Sequence, residues 1–195
     1  MDGTKPLIRQ EMRRRRRTLT AVELDAAERM VAASAAQLEE FRAASVILAY
    51  AATDHEVPCG ALIEAAFAQS KRVFLPRLRG DRMSFAEYRR GTELRPGAMG
   101  IPEPLGDELE VSVVAGALAF VPLVAWDATG SRVGRGGGHY DRAFTGPTRP
   151  QCLVGLGYTF QQHAALPRDR GTSVSTGSSP SAKPCAAGTG TTRPT

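Results

Sequence analysis

Apolar residues recur along this chain in two rhythms. Leu24, Ala27, Val31 and Leu38, with Ser34 in register, fall three or four apart, which predicts a helix with one apolar stripe and a charged opposite face. Thr20 stands before that stripe as an N-cap, and Glu23 completes a Thr-x-x-Glu capping box. Residues 5–41 therefore read as two helices that break near Thr18. Further on, short apolar runs replace the helical spacing. Residues 45–51 and 72–76 are predicted strands on either side of a helix over 61–69, a βαβ unit whose crossover favours parallel pairing. Ligands then gather beyond the carboxyl ends of the strands. Residues 83–88 alternate as a strand does, the prolines of 94–104 predict a surface loop, and 118–126 and 152–158 are apolar enough for buried strands. Alternating strands and helices place the chain in the α/β class.

Composition adds bounds to this pattern. A length of 195 residues with 42% hydrophobic content suits one globular unit with a real core. The start has no apolar leader, and no window approaches the roughly 18 apolar residues of a membrane span, so the expectation is a soluble cytoplasmic protein. Cys59, Cys152 and Cys185 have neither Cys-x-x-Cys spacing nor an even count, which argues against a disulfide framework and against zinc. The histidines at 55, 139 and 163 have no ligand spacing either. The net charge of +5 owes much to Arg13 through Arg17. That block could hold nucleic acid, but no aromatic residues interleave to stack bases, and it reads as the wet face of a helix.

Candidate chemistry concentrates after the 118–126 run. Arg132, Gly134, Arg135, Gly136, Gly137 and Gly138 are followed by His139, Tyr140 and Asp141 at the start of a predicted helix. Glycines let successive backbone N–H groups close on an anionic oxygen, and two arginines add full charges, so the stretch reads as a phosphate loop with a possible metal ligand in Asp141. A plain glycine-rich surface turn is the other reading. Neither a Walker loop nor a dinucleotide fingerprint is present. Lys5 and Arg9 share a helix face where both could reach one anion, and Glu56 lies at a strand end.

The segment Trp126-Asp127-Ala-Thr-Gly130-Ser-Arg132-Val-Gly134-Arg135-Gly136-Gly137-Gly138-His139-Tyr140-Asp141 resembles the signature of the 5-formyltetrahydrofolate cyclo-ligase family. There a strand and Phe-Asp precede Gly-x-Arg-Leu-Gly-x-Gly-x-Gly-Tyr-Tyr-Asp. Lys5-Pro-Leu-Ile-Arg9 is similar to the family's early Lys-x-x-x-Arg, Glu56-Val-Pro-Cys59 to its Glu-hydrophobic-x-Thr with the Thr lost, and Gly100-Ile-Pro-Glu-Pro104 to its Gly-Ile-x-Glu-Pro. His139 replaces the first Tyr of Tyr-Tyr-Asp. The resemblance covers residues 5–168 and implies one three-layer α/β domain over 1–169, with a mixed, mostly parallel sheet like that of sugar-phosphate isomerases and CoA-transferases. It implies a monomeric enzyme that makes 5,10-methenyltetrahydrofolate from 5-formyltetrahydrofolate with ATP and Mg²⁺, with no membrane or nucleic-acid partner. It further implies that Lys5, Arg9, Arg132, Gly134, Arg135, Gly136, Gly137, Gly138, His139 and Tyr140 bind ATP, Arg135 and Tyr140 nearest the chemistry. Asp141 would bind Mg²⁺ and Glu56 the folate. An isomerase or CoA-transferase relative with an anion loop, a basic nucleic-acid binder and a catalytically impaired homologue are the alternatives.

Residues 170–195 break the pattern, being almost wholly Gly, Ser, Thr, Pro and Ala, a composition that predicts disorder rather than a buried strand. In the resembled family a strand similar to Asp-Val-x-Leu-Asp-x-Val-Val-Thr-Glu stands here, its second Asp implicated in binding Mg²⁺. Back-translating residues 171–183 with suitable synonymous codons and dropping two bases yields Asp-Val-Arg-Leu-Asp-Trp-Val-Val-Thr-Glu-Arg-Glu. Serines 173, 175, 178 and 179 written as TCN become NTC, which encodes only Phe, Leu, Ile or Val. The expectation is a reading-frame shift near Asp169 that leaves a non-native tail and a less stable, weakly active chain. Resequencing the gene should reveal the displaced frame; a single intact frame with full activity in the chain as written would contradict it.

Overall fold

The N-terminal arm forms as its capping box dictates and then shortens. In the computed structural model, which describes residues 4–109, 111–167 and 183–187, α1 (Thr4–Arg16) precedes α2 (Ala21–Gln37). The Glu23 amide donates to Thr20 Oγ1 at 3.3 Å and the Thr20 amide to the Glu23 carboxylate at 2.8 Å, satisfying two donors that a helix start leaves unpaired. The expected run to Phe41 is interrupted at Leu38, whose extended backbone (φ −72°, ψ 129°) sets off a separate α3 (Glu39–Ala43).

Then follow β1 (Val46–Leu48), α4 (Gly60–Ala68), β2 (Arg72–Arg79), β3 (Arg82–Tyr88), β4 (Leu94–Pro96), β5 (Pro102–Pro104) and α5 (Val111–Val114). The remainder is β6 (Leu118–Pro122), β7 (Ala125–Asp127), β8 (Arg132–Val133), α6 (His139–Ala143), β9 (Cys152–Tyr158), β10 (Gln162–His163) and β11 (Lys183–Ala187). One sheet runs in the order β11-β9-β6-β1-β2-β3, parallel except for β3, which forms a hairpin with β2. Side-chain alternation sorts its two faces. Ile47, Val73, Leu75, Phe120, Val154 and Leu156 meet α2 and α4, whereas Val46, Leu48, Phe74, Phe85 and Ala119 meet Val114 of α5 and Tyr140 and Ala143 of α6. Each large side chain so buried contributes roughly 1.5–3 kcal/mol, and the expected three-layer α/β domain results. No helix among the described residues is long and apolar enough to cross a membrane.

Three expectations change. The 118–126 run is two strands: β6 stays in the main sheet, Pro122 ends it, and β7 crosses to a small sheet of order β10-β7-β8. Gln161, 1% exposed, holds that crossing by donating to the carbonyls of Leu123 at 2.8 Å and Val124 at 2.7 Å. The 94–104 loop contains a short antiparallel ladder, β4 with β5, in which the prolines sit at the ends as Pro96 opposite Pro102. Within 170–195, Lys183–Ala187 runs parallel to β9 along the sheet edge, where backbone hydrogen bonds serve without large apolar side chains; the rest of the predicted disordered tail lies outside the described residues.

The turn after β7 is built on Asp127, 2% exposed. Its Oδ1 accepts from the amides of Thr129 (2.9 Å) and Ser131 (3.0 Å) and from the Thr129 hydroxyl (2.6 Å), and Oδ2 from the Leu166 amide (3.0 Å). Burial alone would raise its pKa, but the Thr129 hydroxyl and these amides outweigh it and bring the value down to about 2. A depressed carboxylate pKa stabilises the fold above the ordinary value near 4 and loses that contribution as pH falls towards 2. Asp127→Ala, which orphans three amides, should cost about 2–4 kcal/mol in urea unfolding at pH 7, with the deficit shrinking below about pH 3; an unchanged midpoint would remove Asp127 from this role.

Candidate active site

Two loops meet where the strand order reverses. From β1 the chain moves one way to β2 and later returns to β6 on the other side, so the crevice lies beyond the carboxyl ends of β1 and β6. The loop after β1 carries Glu56. Past β6, the β7–β8 hairpin delivers Arg132 and then the glycine run.

That run needs its glycines in a specific way. Gly136 adopts φ 108° and Gly138 φ 64°, both in the region that side chains avoid. A Cβ on Gly136 would also stand 3.4 Å from the Arg9 guanidinium, whose Nε donates to the Gly134 carbonyl at 2.9 Å. Gly138 caps α6, a helix of five residues. Arg9 is thus brought to the loop, and Lys5 lies one turn earlier on α1. Arg132 Nη2 donates to Asp141 Oδ1 at 2.7 Å, tying the two ends of the loop together.

The Arg135 guanidinium reaches back to the loop after β1. Its Nε donates to Glu56 Oε1 at 2.8 Å, Nη2 reaches Glu56 Oε2 at 2.8 Å, and Nη2 also donates to the Thr53 hydroxyl and, at 3.2 Å, the Thr53 carbonyl. The pair joins residues that were assigned to different ligands, one to phosphate and one to folate. Glu56 itself is 4% exposed. Around it the loop is stapled by the Tyr50 hydroxyl to the Val57 carbonyl (2.7 Å), the Tyr158 hydroxyl to the Glu56 carbonyl (3.3 Å), and the Thr53 amide to Glu56 Oε2 (3.2 Å). Asp54 and His55 are held in left-handed conformations at φ 52° and 53°, which cost on the order of 1–3 kcal/mol each.

What holds them is the arginine block, read above as a wet face. Asp54 Oδ2 meets Arg16 at 2.9 Å and Arg13 at 3.3 Å, and Oδ1 meets Arg17 at 3.3 Å. Burial by itself would raise the Asp54 pKa; the Arg16 and Arg17 guanidiniums outweigh it and keep the carboxylate below its usual range. Arg14 pairs with Glu11, and Arg15 lies over the Phe160 ring at 4.6 Å. Arg16 is the correction to the earlier reading, since it is 2% exposed. Ile8, Met12 and Arg16 fall four apart on one face of α1, and Ile8 and Met12 pack against Val124, Ala125 and Val133. That spacing was the overlooked signal.

Tyr140 packs on Phe144, and Phe85 stacks on Phe144 at 5.4 Å between ring centroids. Burial, then the negative Glu56, push the Tyr140 phenol well above its ordinary range, so it stays protonated and neutral. His139 sits beside it with Nδ1 3.3 Å from Arg142. A cavity of about 290 Å³ is lined by both flanks of the Glu56 loop, namely Ala51, Ala52, Pro58 and Cys59, with Ile63, Leu75, Tyr88 and Leu94. Cys59 donates its thiol to the Tyr50 carbonyl at 2.9 Å, and burial pushes its pKa up to about 12, so it is no nucleophile. Glu103 of the Gly-Ile-x-Glu-Pro segment accepts from the Leu78 amide and Arg79, a structural duty.

A divalent cation has few protein ligands to choose from. Among the described residues no group of three His, Cys, Asp or Glu could hold one. Asp127 is saturated by its four donors. Asp141 has a side chain 75% exposed beside the loop, which fits Mg²⁺ bound chiefly by nucleotide phosphates with one carboxylate from the protein.

The 5-formyltetrahydrofolate cyclo-ligase family matches residues 2–173 of the chain. A 5-formyltetrahydrofolate cyclo-ligase of Haemophilus influenzae is 36% identical over 170 residues, 83% of this chain and 89% of that protein. The solution structure of Aquifex aeolicus 5,10-methenyltetrahydrofolate synthetase superposes with a TM-score of 0.71 at 29% identity, covering 85% of this chain and 83% of the other. The Mycoplasma pneumoniae 5,10-methenyltetrahydrofolate synthetase, at 22% identity and a TM-score of 0.67 over 86% and 92% of the two chains, shares the fold.

Proposed function

The chain belongs to the 5-formyltetrahydrofolate cyclo-ligase family, and we propose that it converts 5-formyltetrahydrofolate to 5,10-methenyltetrahydrofolate, coupled to cleavage of ATP to ADP and phosphate. The observation that carries this reading is the meeting of Arg9, Arg132 and Arg135 around residues 134–138, against Glu56 and beside the cavity lined by the flanks of its loop. Cations and backbone N–H groups on one side and, beside the Glu56 loop, a largely apolar cavity on the other suit a polyphosphate and a pterin.

The chemistry explains why both are needed. A formamide oxygen leaves poorly, so the γ-phosphoryl group is transferred to it, the β–γ P–O bond breaks, and ADP departs. N10 then attacks the resulting imino-phosphate carbon and loses its proton, and the formyl C–O bond breaks with release of phosphate. Such a path asks the protein for positioning and charge neutralisation rather than covalent catalysis. Arg135, Arg132, Arg9 and Lys5 meet the phosphates, and the amides of Gly134, Gly136, Gly137 and Gly138 line the loop with His139 beside them. Tyr140 orients the formyl group as a neutral donor, and Glu56 receives the pterin. Asp141 would help to hold Mg²⁺, which when bound neutralises phosphate charge.

The test is formation of the methenyl chromophore from 5-formyltetrahydrofolate with and without ATP. Turnover should require ATP, and Arg135→Ala should lower it about 100- to 1000-fold in a protein that still folds, with its unfolding midpoint lowered because the buried Glu56 loses a counter-charge. Turnover without ATP would favour an isomerase-like or transferase-like activity, and an unchanged rate at saturating ATP would take Arg135 out of the mechanism.

A further inference from the structure

Glu56 and Arg135 are paired through two contacts of 2.8 Å, yet the function proposed above, on which this inference rests, gives each of them a different ligand. While the pair stands, Arg135 is spent on a carboxylate instead of a phosphate. When it opens, a carboxylate only 4% exposed loses its main counter-charge, and a buried unpaired charge is costly. The opening therefore needs a second cation already in place.

Arg16 stands behind Glu56. It is 2% exposed, anchored by Nη2 on Asp54 at 2.9 Å, with Nη1 4.0 Å from Glu56 Oε1. Among the described residues its Nη1 and Nε have no hydrogen-bond partner, although both are buried. Guanidinium N–H groups left unspent in an interior are rare because their desolvation is not repaid. A small shift of the Glu56 carboxylate towards α1 brings Nη1 within hydrogen-bond reach. Asp54 fixes the guanidinium, so the movement falls to Glu56.

We propose that the Arg135–Glu56 pair is a resting latch across the crevice, and that Arg16 is a positioning residue that takes over Glu56 when Arg135 turns to the nucleotide phosphates. Nucleotide binding and release of the pterin-facing carboxylate are coupled through this exchange of partners. Removing Arg16 leaves Glu56 dependent on Arg135 alone and tightens the latch.

The test is calorimetric titration of Mg²⁺–ATP, without folate, into wild type, Arg16→Met, Glu56→Gln and the double variant, with urea unfolding of the same four proteins. Arg16→Met should weaken ATP binding about tenfold, or ~1.4 kcal/mol, in the wild-type background. In the Glu56→Gln background, where no anion holds Arg135, the same change should matter by no more than about twofold. Equal losses in both backgrounds, or none in the first, would overturn the proposal. Arg16→Lys, which keeps the charge, should recover most of the affinity, and it carries the comparison should Arg16→Met fail to fold. Wild type that binds no ATP would sink the nucleotide reading and the exchange with it, whereas equal losses in a wild type that binds ATP would sink the exchange alone.

Discussion

A carboxylate taken almost wholly out of water has to be surrounded by cations, and at Glu56 the whole arrangement depends on meeting that condition. One guanidinium comes from α1 and one from the glycine-rich loop, more than a hundred residues apart in sequence, so neither can arrive unless the fold is complete. Arg16 is delivered by the apolar packing of Ile8 and Met12 on the β7–β8 hairpin. Arg135 is delivered by the same hairpin, whose turn is closed on Asp127. The loop between them holds two residues in left-handed conformations, kept there by the grip of Arg13, Arg16 and Arg17 on Asp54. Helix docking, hairpin closure and loop strain are thus tied to one buried ion cluster.

Much of the site was legible in the sequence because its chemistry is local. The glycines of the loop stand together in the sequence, two of them, Gly136 and Gly138, adopting positive φ, and Arg9 lies on the α1 face that meets them. The capping box at Thr20 and the parallel βαβ unit were equally readable, since each depends on a few adjacent residues. What escaped is what distant partners decide. An apolar run over 118–126 looks the same whether it is one strand or two, and the break is enforced by Pro122 and by Gln161 donating from beyond β9. Arg16 hid within five arginines, and only its place in line with Ile8 and Met12 tells it from its exposed neighbours. That Arg135 and Glu56 hold each other could not be read from either residue.

The C-terminal part answers to a different constraint. β9 is an interior-type strand with Val154, Leu156 and Tyr158 buried, and an uncovered flank would leave its backbone donors and acceptors without partners. Lys183–Ala187 covers it through main-chain pairing, opposite Val154 through Tyr158. The family match ends at residue 173, before this strand begins. The edge strand β11 therefore lies outside the matched residues, while the crevice at β1 and β6 lies two strands inward.

The most direct measurement of the central claim is a crystal structure of the chain with a non-hydrolysable ATP analogue, compared with one without nucleotide. The account predicts that Arg135 leaves Glu56 for a phosphate oxygen and that the Arg16 Nη1 to Glu56 Oε1 separation, 4.0 Å at rest, closes to hydrogen-bond length. Nucleotide bound in the crevice with Arg135 still on Glu56 would contradict it.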